Sequence, residues 1–357
     1  MNPNELSPEL EPVAAEPLLS VIVPARNEES VLGACLASLV RQSEPGFALG
    51  EQWELIVVND DSADGTRAIA EGYEGVVVMD APLLDLSGAD ALSGKSNACW
   101  AGAQVARGRR LLFTDADTLH ETGDLSRALH EMEKYKATLL SYSPRQMVTG
   151  FWQRAVMPLV FSELASVYPM KQVNDPERSL AAANGQFLMV DRDTYFLVGG
   201  HRALGGTVLE DVALARNIKS GERTIRFRYA PDAVATRMYR STAEMVEGWT
   251  KNLALLFPRP IYLAAWRVLD VLLFFGLPGV AVGMYWLQPW QRGVIWVIWV
   301  RTLWRFYSRV ARSNFPASDV VISILGVPLF VYLLVKSVVD HKMKKSVAWK
   351  GRRYSGG

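Results

Sequence analysis

Arg109-Arg110-Leu111-Leu112-Phe113-Thr114-Asp115-Ala116-Asp117 is an apolar run led in by two arginines and closed by two acids one residue apart. At strand spacing, residues i and i+2 point to the same face. Asp115 and Asp117 therefore face one way. Burying both as unpaired ions would be very costly. The pair is expected at the exposed end of the strand, where two carboxylates can hold a hard divalent cation. Taken alone, an Asp-x-Asp after a strand is most simply a solvated turn. What precedes it in the chain changes that reading.

Residues 18–24 form a nearly continuous apolar run, which suits a parallel strand buried on both faces. Residues 28–40 then carry apolar side chains at helical spacing, and 53–58 read as a second strand. Asp64 is placed to cap a helix over 66–71. A third strand at 75–79, a helix at 94–106 and a fourth strand at 110–114 follow. Strands alternating with helices predict an α/β fold, a Rossmann-like and mostly parallel sheet. In such sheets ligands bind outside the carboxyl ends of the strands. Each of those ends is polar here: Arg26-Asn27-Glu28, Asn59-Asp60-Asp61, Asp80, and Asp115-Ala116-Asp117. An edge so crowded with acids is costly unless something cationic sits there, and a metal carrying a diphosphate would satisfy it. Neither a dinucleotide fingerprint nor a P-loop is present.

Composition sets further bounds. The chain has 357 residues, 50% of them hydrophobic and eleven of them Trp. The net charge of +1 gives no global field toward nucleic acid. Residues 1–17 are Pro- and Glu-rich, read as a disordered lead, and lack the basic start and apolar core of a signal peptide. Cys35 and Cys99 fall in helix-like patterns and suggest no disulfide, which fits a reducing compartment. The last hundred residues carry three apolar segments: 268–287, interrupted only by Asp270; 293–300, running on into Arg301 and Arg305; and 320–339. The first and third are long enough to cross a bilayer core of ~30 Å. Trp286, Trp290, Trp296, Trp299 and Trp304 suit an interfacial belt. The basic tail at 341–357 should stay cytoplasmic. A cytoplasmic catalytic region and a cytoplasmic tail need an even number of crossings. Two arrangements meet that need: the middle segment lies in the interface, or Gly326-Val327-Pro328 turns the last one back. Between the two halves, 151–170 reads as a core or membrane-lying helix and 184–190 as a strand. Gly199-Gly200 and Gly205-Gly206 give flexible connections around His201, which is either a ligand contact or a turn histidine.

Several of these motifs, in this order, resemble family 2 glycosyltransferases. They are Val21-Ile22-Val23-Pro24-Ala25-Arg26-Asn27-Glu28, Val58-Asn59-Asp60-Asp61-Ser62-Ala63-Asp64-Gly65-Thr66, Gly94-Lys95, Asp115-Ala116-Asp117 and Glu210-Asp211. The resemblance implies an inverting enzyme with the GT-A fold over about 18–255, membrane helices over 256–340, and a nucleotide-sugar donor. It implies that Pro24 and Glu28 contact the nucleotide and that Asp60 binds its base, usually uracil. It implies that Lys95 and Glu210 lie at the substrate, that Asp117 holds Mg²⁺ or Mn²⁺ with Asp115 supporting the metal or the ribose, and that Asp211 is the catalytic base. A metal bridging two phosphate oxygens stabilises the departing nucleoside diphosphate, and a separate carboxylate must deprotonate an acceptor hydroxyl. An acceptor that is a carboxylic acid is already ionised and needs the base less. The Gln-x-x-Arg-Trp of processive members is absent, which argues against polysaccharide synthesis. Arg237-Met238-Tyr239, Gly248-Trp249-Thr250-Lys251-Asn252 and Trp349-Lys350-Gly351-Arg352-Arg353-Tyr354 are similar to membrane-bound bacterial members linked to carotenoids and hopanoids. The expected acceptor is therefore a lipid-like isoprenoid reached at the cell membrane by a multi-pass protein. A polyprenyl phosphate acceptor and a non-catalytic membrane scaffold are the alternatives.

Overall fold

The computed structural model describes residues 16–42, 44–84, 92–344, 346–349 and 352–355. The expectation for the lead at 1–17 lies outside these residues but for Glu16 and Pro17. The first half alternates as expected: β1 (Leu19–Ala25), α1 (Leu32–Val40), β2 (Trp53–Asn59), α2 (Thr66–Glu71), β3 (Val76–Asp80), α3 (Gly94–Val105) and β4 (Arg110–Thr114). Then come β5 (Thr118–His120), α4 (Asp124–Tyr135), β6 (Leu139–Ser143), β7 (Arg145–Gln146), α5 (Phe151–Val167) and α6 (Met170–Val173). These lead to β8 (Phe187–Asp191), α7 (Arg192–Leu197), α8 (Glu210–Ser220), β9 (Ile225–Tyr229) and β10 (Val234–Thr236). Four longer helices follow: α9 (Thr242–Leu256), α10 (Pro260–Gly283), α11 (Pro289–Val310) and α12 (Ala317–Val339).

Seven strands form one sheet in the order β3-β2-β1-β4-β8-β6-β9. All neighbours are parallel except where β8 runs antiparallel between β4 and β6. This is the expected mostly parallel α/β sheet, with one reversed strand. The central strands are apolar throughout because both faces are covered. Val21, Val23, Leu55, Val57 and Leu112 pack toward Leu36, Leu39 and Leu125 on one side. Ile22, Ile56, Val58, Leu111 and Phe113 pack toward Cys99, Leu214 and Ile218 on the other. Each such large side chain taken from water contributes about 1.5–3 kcal/mol. Cys35 and Cys99 are buried and unbridged, as expected.

Two local boundaries differ from expectation. The first helix begins at Leu32 rather than Glu28. The backbone N–H groups of Glu28 and Glu29 donate instead to Thr66 Oγ1 and Asp64 Oδ2, tying the β1 loop to the β2 loop. Asp64 does accept from the Thr66 N–H, but Gly65 is the N-cap, so the capping is displaced by one residue.

The third core joins α5 and α9 to α10, α11 and α12. Two helices are long and apolar enough to cross a bilayer: Pro260–Gly283, with mean hydropathy 1.7, and Ala317–Lys342, with mean hydropathy 2.2. The first span lies earlier than expected, because Pro260 starts the helix at its first turn and Met284–Leu287 leave it. The middle segment is a helix, α11, that does not meet those criteria. Its Arg305 and Arg309 bind the buried Asp270 of α10 at 2.5 and 3.3 Å, and Arg309 also reaches Glu163 of α5 at 3.3 Å. Arg267 completes the cluster on Asp270 at 2.8 Å. A buried carboxylate is tolerated only with such partners, which accounts for Asp270 in an otherwise apolar run.

The helix α12 lies against α5 so closely that a Cβ on Gly326 would sit 2.3 Å from the carbonyl oxygen of Ala155. Gly326→Val should therefore force the two helices apart. Overpacking of this kind costs about 1–3 kcal/mol. The expected outcome is a melting temperature lower by several degrees in detergent; an unchanged melting curve would show that α12 is not fixed there.

Candidate active site

The polar strand ends open into one cavity of about 590 Å³. Its walls include Pro24, Glu28, Asp60, Lys95, Asp115, Asp117, Glu210 and Asp211. Every site residue expected from the sequence thus faces a common space. Arg26 straps the first wall together: its guanidinium donates to the Asp60 and Asp61 carbonyls at 2.6 and 3.0 Å. Asp60 is buried there. Asp80 is turned away from the cavity. It accepts from Asn59 Nδ2 at 2.8 Å, and Arg67 pairs with it.

Lys95 stands at the first turn of α3, whose N-cap Ser93 accepts from the Ser96 N–H. Its ammonium lies 2.7 Å from Asp115 Oδ1 and 3.3 Å from Glu210 Oε1, joining α3, the end of β4 and the start of α8. Burial alone would lower the Lys95 pKa, but Asp115 and Glu210 outweigh it and hold it well above the ordinary value. Next to this pair, Asp211 Oδ2 accepts from the Gly185 N–H at 2.9 Å, and Oδ1 from the Val212 N–H at 2.7 Å. Burial, and then the neighbouring Glu210, push Asp211 up to about 6. Glu210 is shifted the other way: burial raises it, but Lys95 and Lys251 hold it below its usual range.

The loop of Asp115 and Asp117 rests on a buried polar network that the sequence did not reveal. Thr118 closes the loop, its N–H and hydroxyl both donating to the Asp115 carbonyl at 3.2 and 2.7 Å. Thr114 donates to the Gln186 carbonyl at 2.8 Å and lies 3.1 Å from His120 Nε2. His120 Nδ1 is 2.7 Å from Asp124 Oδ2, both side chains fully buried. The i, i+4 spacing of His120 and Asp124 is the only hint in the chain, and it is a weak one. Sequence reasoning also left unassigned Arg237, Arg240 and Lys251, which return to the cavity from more than a hundred residues downstream of Asp117. Arg240 lies 3.4 Å from Glu28. His201 is corrected from a ligand or turn position to a core one. It is buried, lies 2.9 Å from the Tyr195 hydroxyl and meets Phe113 edge-on. Burial lowers its pKa to about 4, so it is neutral near pH 7.

The charges define what the cavity can take. Five lining cations (Arg26, Lys95, Arg237, Arg240, Lys251) face eight acids (Glu28, Asp60, Asp115, Asp117, Glu210, Asp211, Glu244, Glu247), a formal excess of three acids. That excess favours a bound cation, and the carboxylate oxygens of Asp115 and Asp117 suit Mg²⁺ or Mn²⁺. Among the described residues no cluster of three or more His, Cys, Asp or Glu could hold a metal alone. A cation here would need further oxygens from a ligand, as a diphosphate provides.

Residues 20–195 match the family described as Glycosyl transferase family 2. Over 353 residues the chain is 28% identical to the 4,4'-diaponeurosporenoate glycosyltransferase of Staphylococcus aureus (strain MRSA252), covering 94% of this chain and 88% of the relative. Among solved structures it is similar to a mannosyltransferase from Pyrobaculum calidifontis in complex with GDP-Man and Mn²⁺, with TM-score 0.48, 16% identity, and 92% and 88% of the two chains covered. These matches identify the chain as a glycosyltransferase.

Removing the carboxylate of Asp124 would leave the buried His120 Nδ1 without its partner. Leaving such a group unsatisfied costs about 1–3 kcal/mol. Asp124→Ala should lower the melting temperature, by about 2–4 °C per kcal/mol at this size, and Asp124→Asn should recover part of the loss. Equal melting curves for all three proteins would show that the network does not support the loop.

Proposed function

We propose that the chain is a membrane-anchored, inverting, metal-dependent transferase that moves a hexose from a UDP-sugar to a lipid-like acceptor, with its catalytic region cytoplasmic. The observation that carries this reading is the meeting of Asp115 and Asp117, Lys95 with Arg237, Arg240 and Lys251, and Asp211 around one cavity. On this reading Pro24, Glu28 and Asp60 receive the nucleoside, and Asp60 accepts from its base. Lys95 and the downstream cations meet the diphosphate, and Glu210 positions Lys95. Asp115 and Asp117 would hold Mg²⁺ or Mn²⁺, which supplies Lewis-acid stabilisation to the leaving diphosphate. Asp211 takes the proton of the acceptor hydroxyl as its oxygen displaces the diphosphate in line, inverting the anomeric centre. A base near pH 6 suits proton transfer close to neutrality.

The lipid acceptor is supported by the relative's name, which specifies a carotenoid acid anion, and by the two long apolar helices. Those two spans give the even count that keeps the basic tail and the catalytic region on one side, with the arginine-rich α11 in the interface. The deciding test is a donor screen with membrane extract, the glycolipid product being read by mass spectrometry. Transfer of a hexose to a hydroxylated or carboxylated isoprenoid supports the reading. Transfer to polyprenyl phosphate alone replaces the acceptor class.

With a hydroxyl acceptor, kcat/KM should rise about tenfold per pH unit up to about pH 6 and level off above, because only ionised Asp211 accepts a proton. Lys95 is one of the groups that holds the Asp211 pKa down, so Lys95→Met should move this limb to higher pH. A limb that stays in place or moves down contradicts the assignment. Asp211→Asn should lower kcat by about 10²–10⁴, and less with a carboxylate acceptor. Transfer should also cease with chelator and return with Mn²⁺, while Asp117→Ala raises the Mn²⁺ concentration needed. Transfer that survives chelation unchanged would remove the metal from the reading.

A further inference from the structure

Asp211 lines two cavities. Besides the acidic one, a second cavity of about 250 Å³ meets it along a shared boundary. Asn184, Leu209, Asp211, Met238 and Asn252 line both. The two spaces differ in chemistry. The first is ringed by ionised groups, whereas the second runs between α5 and α9 and is walled by Phe161, Leu164, Tyr168, Phe227, Trp249 and Leu256. Trp249 is held in place, its indole N–H donating to Met157 Sδ at 3.2 Å and its ring meeting Phe161 and Tyr239 edge-on. The far wall is Arg312–Asn314, the segment that joins α11 to the membrane-length helix α12. The Tyr229 hydroxyl fixes that segment by donating to the Asn314 carbonyl at 3.2 Å.

We propose that this second cavity is the acceptor site, and that it takes the end of an apolar isoprenoid chain whose terminal hydroxyl or carboxyl oxygen stops at Asp211. This rests on the transferase reading above and deepens it. An apolar chamber that ends on a carboxylate suits a molecule that is hydrocarbon along its length and oxygenated at its tip. At roughly 30 Å³ for each group of water or methylene size, the chamber holds about eight such groups. It therefore takes the end of a chain, not the whole of a long lipid. Trp249, Phe161 and Tyr168 line the chamber with aromatic rings against which a hydrocarbon chain end can pack. The remainder would leave past Arg312–Asn314 toward the helices that contact the bilayer. The bookkeeping of the transfer is simple. The acceptor oxygen forms a bond to the anomeric carbon. The bond from that carbon to the phosphate oxygen breaks, and its electron pair leaves with the nucleoside diphosphate. A hydroxyl proton passes to Asp211; a carboxylate acceptor has none to give.

The test uses the full chain in detergent micelles with UDP and Mn²⁺, irradiated with a farnesol analogue that carries a diazirine on its chain. Peptide mapping should place the label on the segments 161–168 and 249–256. Ala165, on α5, and Leu256 also line the chamber; Ala165→Trp and Leu256→Trp, which narrow it, should each cut that labelling about tenfold or more, the scale of an overpacked wall. Their UDP affinity by calorimetry should stay at the starting value. Labelling confined to α10, α11 or α12, or undiminished in both variants, overturns the proposal. If a variant also loses UDP affinity, the map of the unsubstituted protein decides alone. The transferase reading fails separately. A labelled chamber with no glycolipid from any nucleotide sugar would refute that reading and leave the chamber standing. A lipid product with the label elsewhere would do the reverse.

Discussion

Lys95 is the point on which the candidate site turns. Its ammonium lies between Asp115, at the end of the fourth parallel strand, and Glu210, at the start of a helix nearly a hundred residues later. Without a cation between them these carboxylates would repel one another across a poorly hydrated space. Lys95 does more than neutralise: its ion pair with Glu210 links the first turn of α8, where Asp211 also stands, to the end of β4. It also splits the two adjacent acids. Glu210, close to the ammonium, is held below its usual range, while burial, and then the charge of Glu210, raise Asp211 to about 6. Two acids side by side thus differ in proton affinity, the one nearer the ammonium being the stronger acid.

The membrane-length helices are continuous with this site. The helix α9 carries Trp249, Lys251 and Asn252 to the cavities. It is also bound to the C-terminal helices, since the Ala254 N–H donates to Ser337 and His341 Nε2 lies 2.8 Å from the Lys251 carbonyl. The helix α5 is gripped by α12 at Gly326 and linked to α11 through Glu163. The acceptor side of the site is therefore built from the same two helices that meet the apolar ones. Trp249 packs in the same core as side chains of α10 and α12. That makes anchoring and acceptor placement one structural problem.

Much of the sheet was legible in the sequence because of where its strands lie. A strand buried on both faces must be apolar at consecutive positions, and its carboxyl end must turn polar where it leaves the core. Val21-Ile22-Val23 and Leu111-Leu112-Phe113, each followed by charged residues, show both rules. The reversed strand β8 was legible as a strand but not in direction, because orientation depends on its partners β4 and β6, which the local pattern does not encode. Arg237, Arg240 and Lys251 were illegible as site residues for a similar reason: only the closed fold returns them to the acids. His201 misled because glycines beside a histidine look like a surface loop, whereas its ring fills a space between Phe113 and Tyr195. Of Arg301 and Arg305, which read as marks of an interfacial segment, Arg305 pairs with the buried Asp270, as does Arg309 one turn further on.

The charge of the cavity constrains how a donor could enter. A formal excess of three acids, net of the lining arginines and lysines, disfavours a bare diphosphate. The same excess attracts a divalent cation, but only two carboxylates, Asp115 and Asp117, stand together at the strand end, and one of them already faces Lys95. Two protein ligands leave most of the shell of Mg²⁺ or Mn²⁺ open. The arrangement is therefore poor at holding either the cation or the diphosphate alone and good at holding both. On the proposed reading, that mutual dependence ties metal occupancy to the donor: the cation is held firmly while the diphosphate completes its shell, and loosely once the nucleotide has gone.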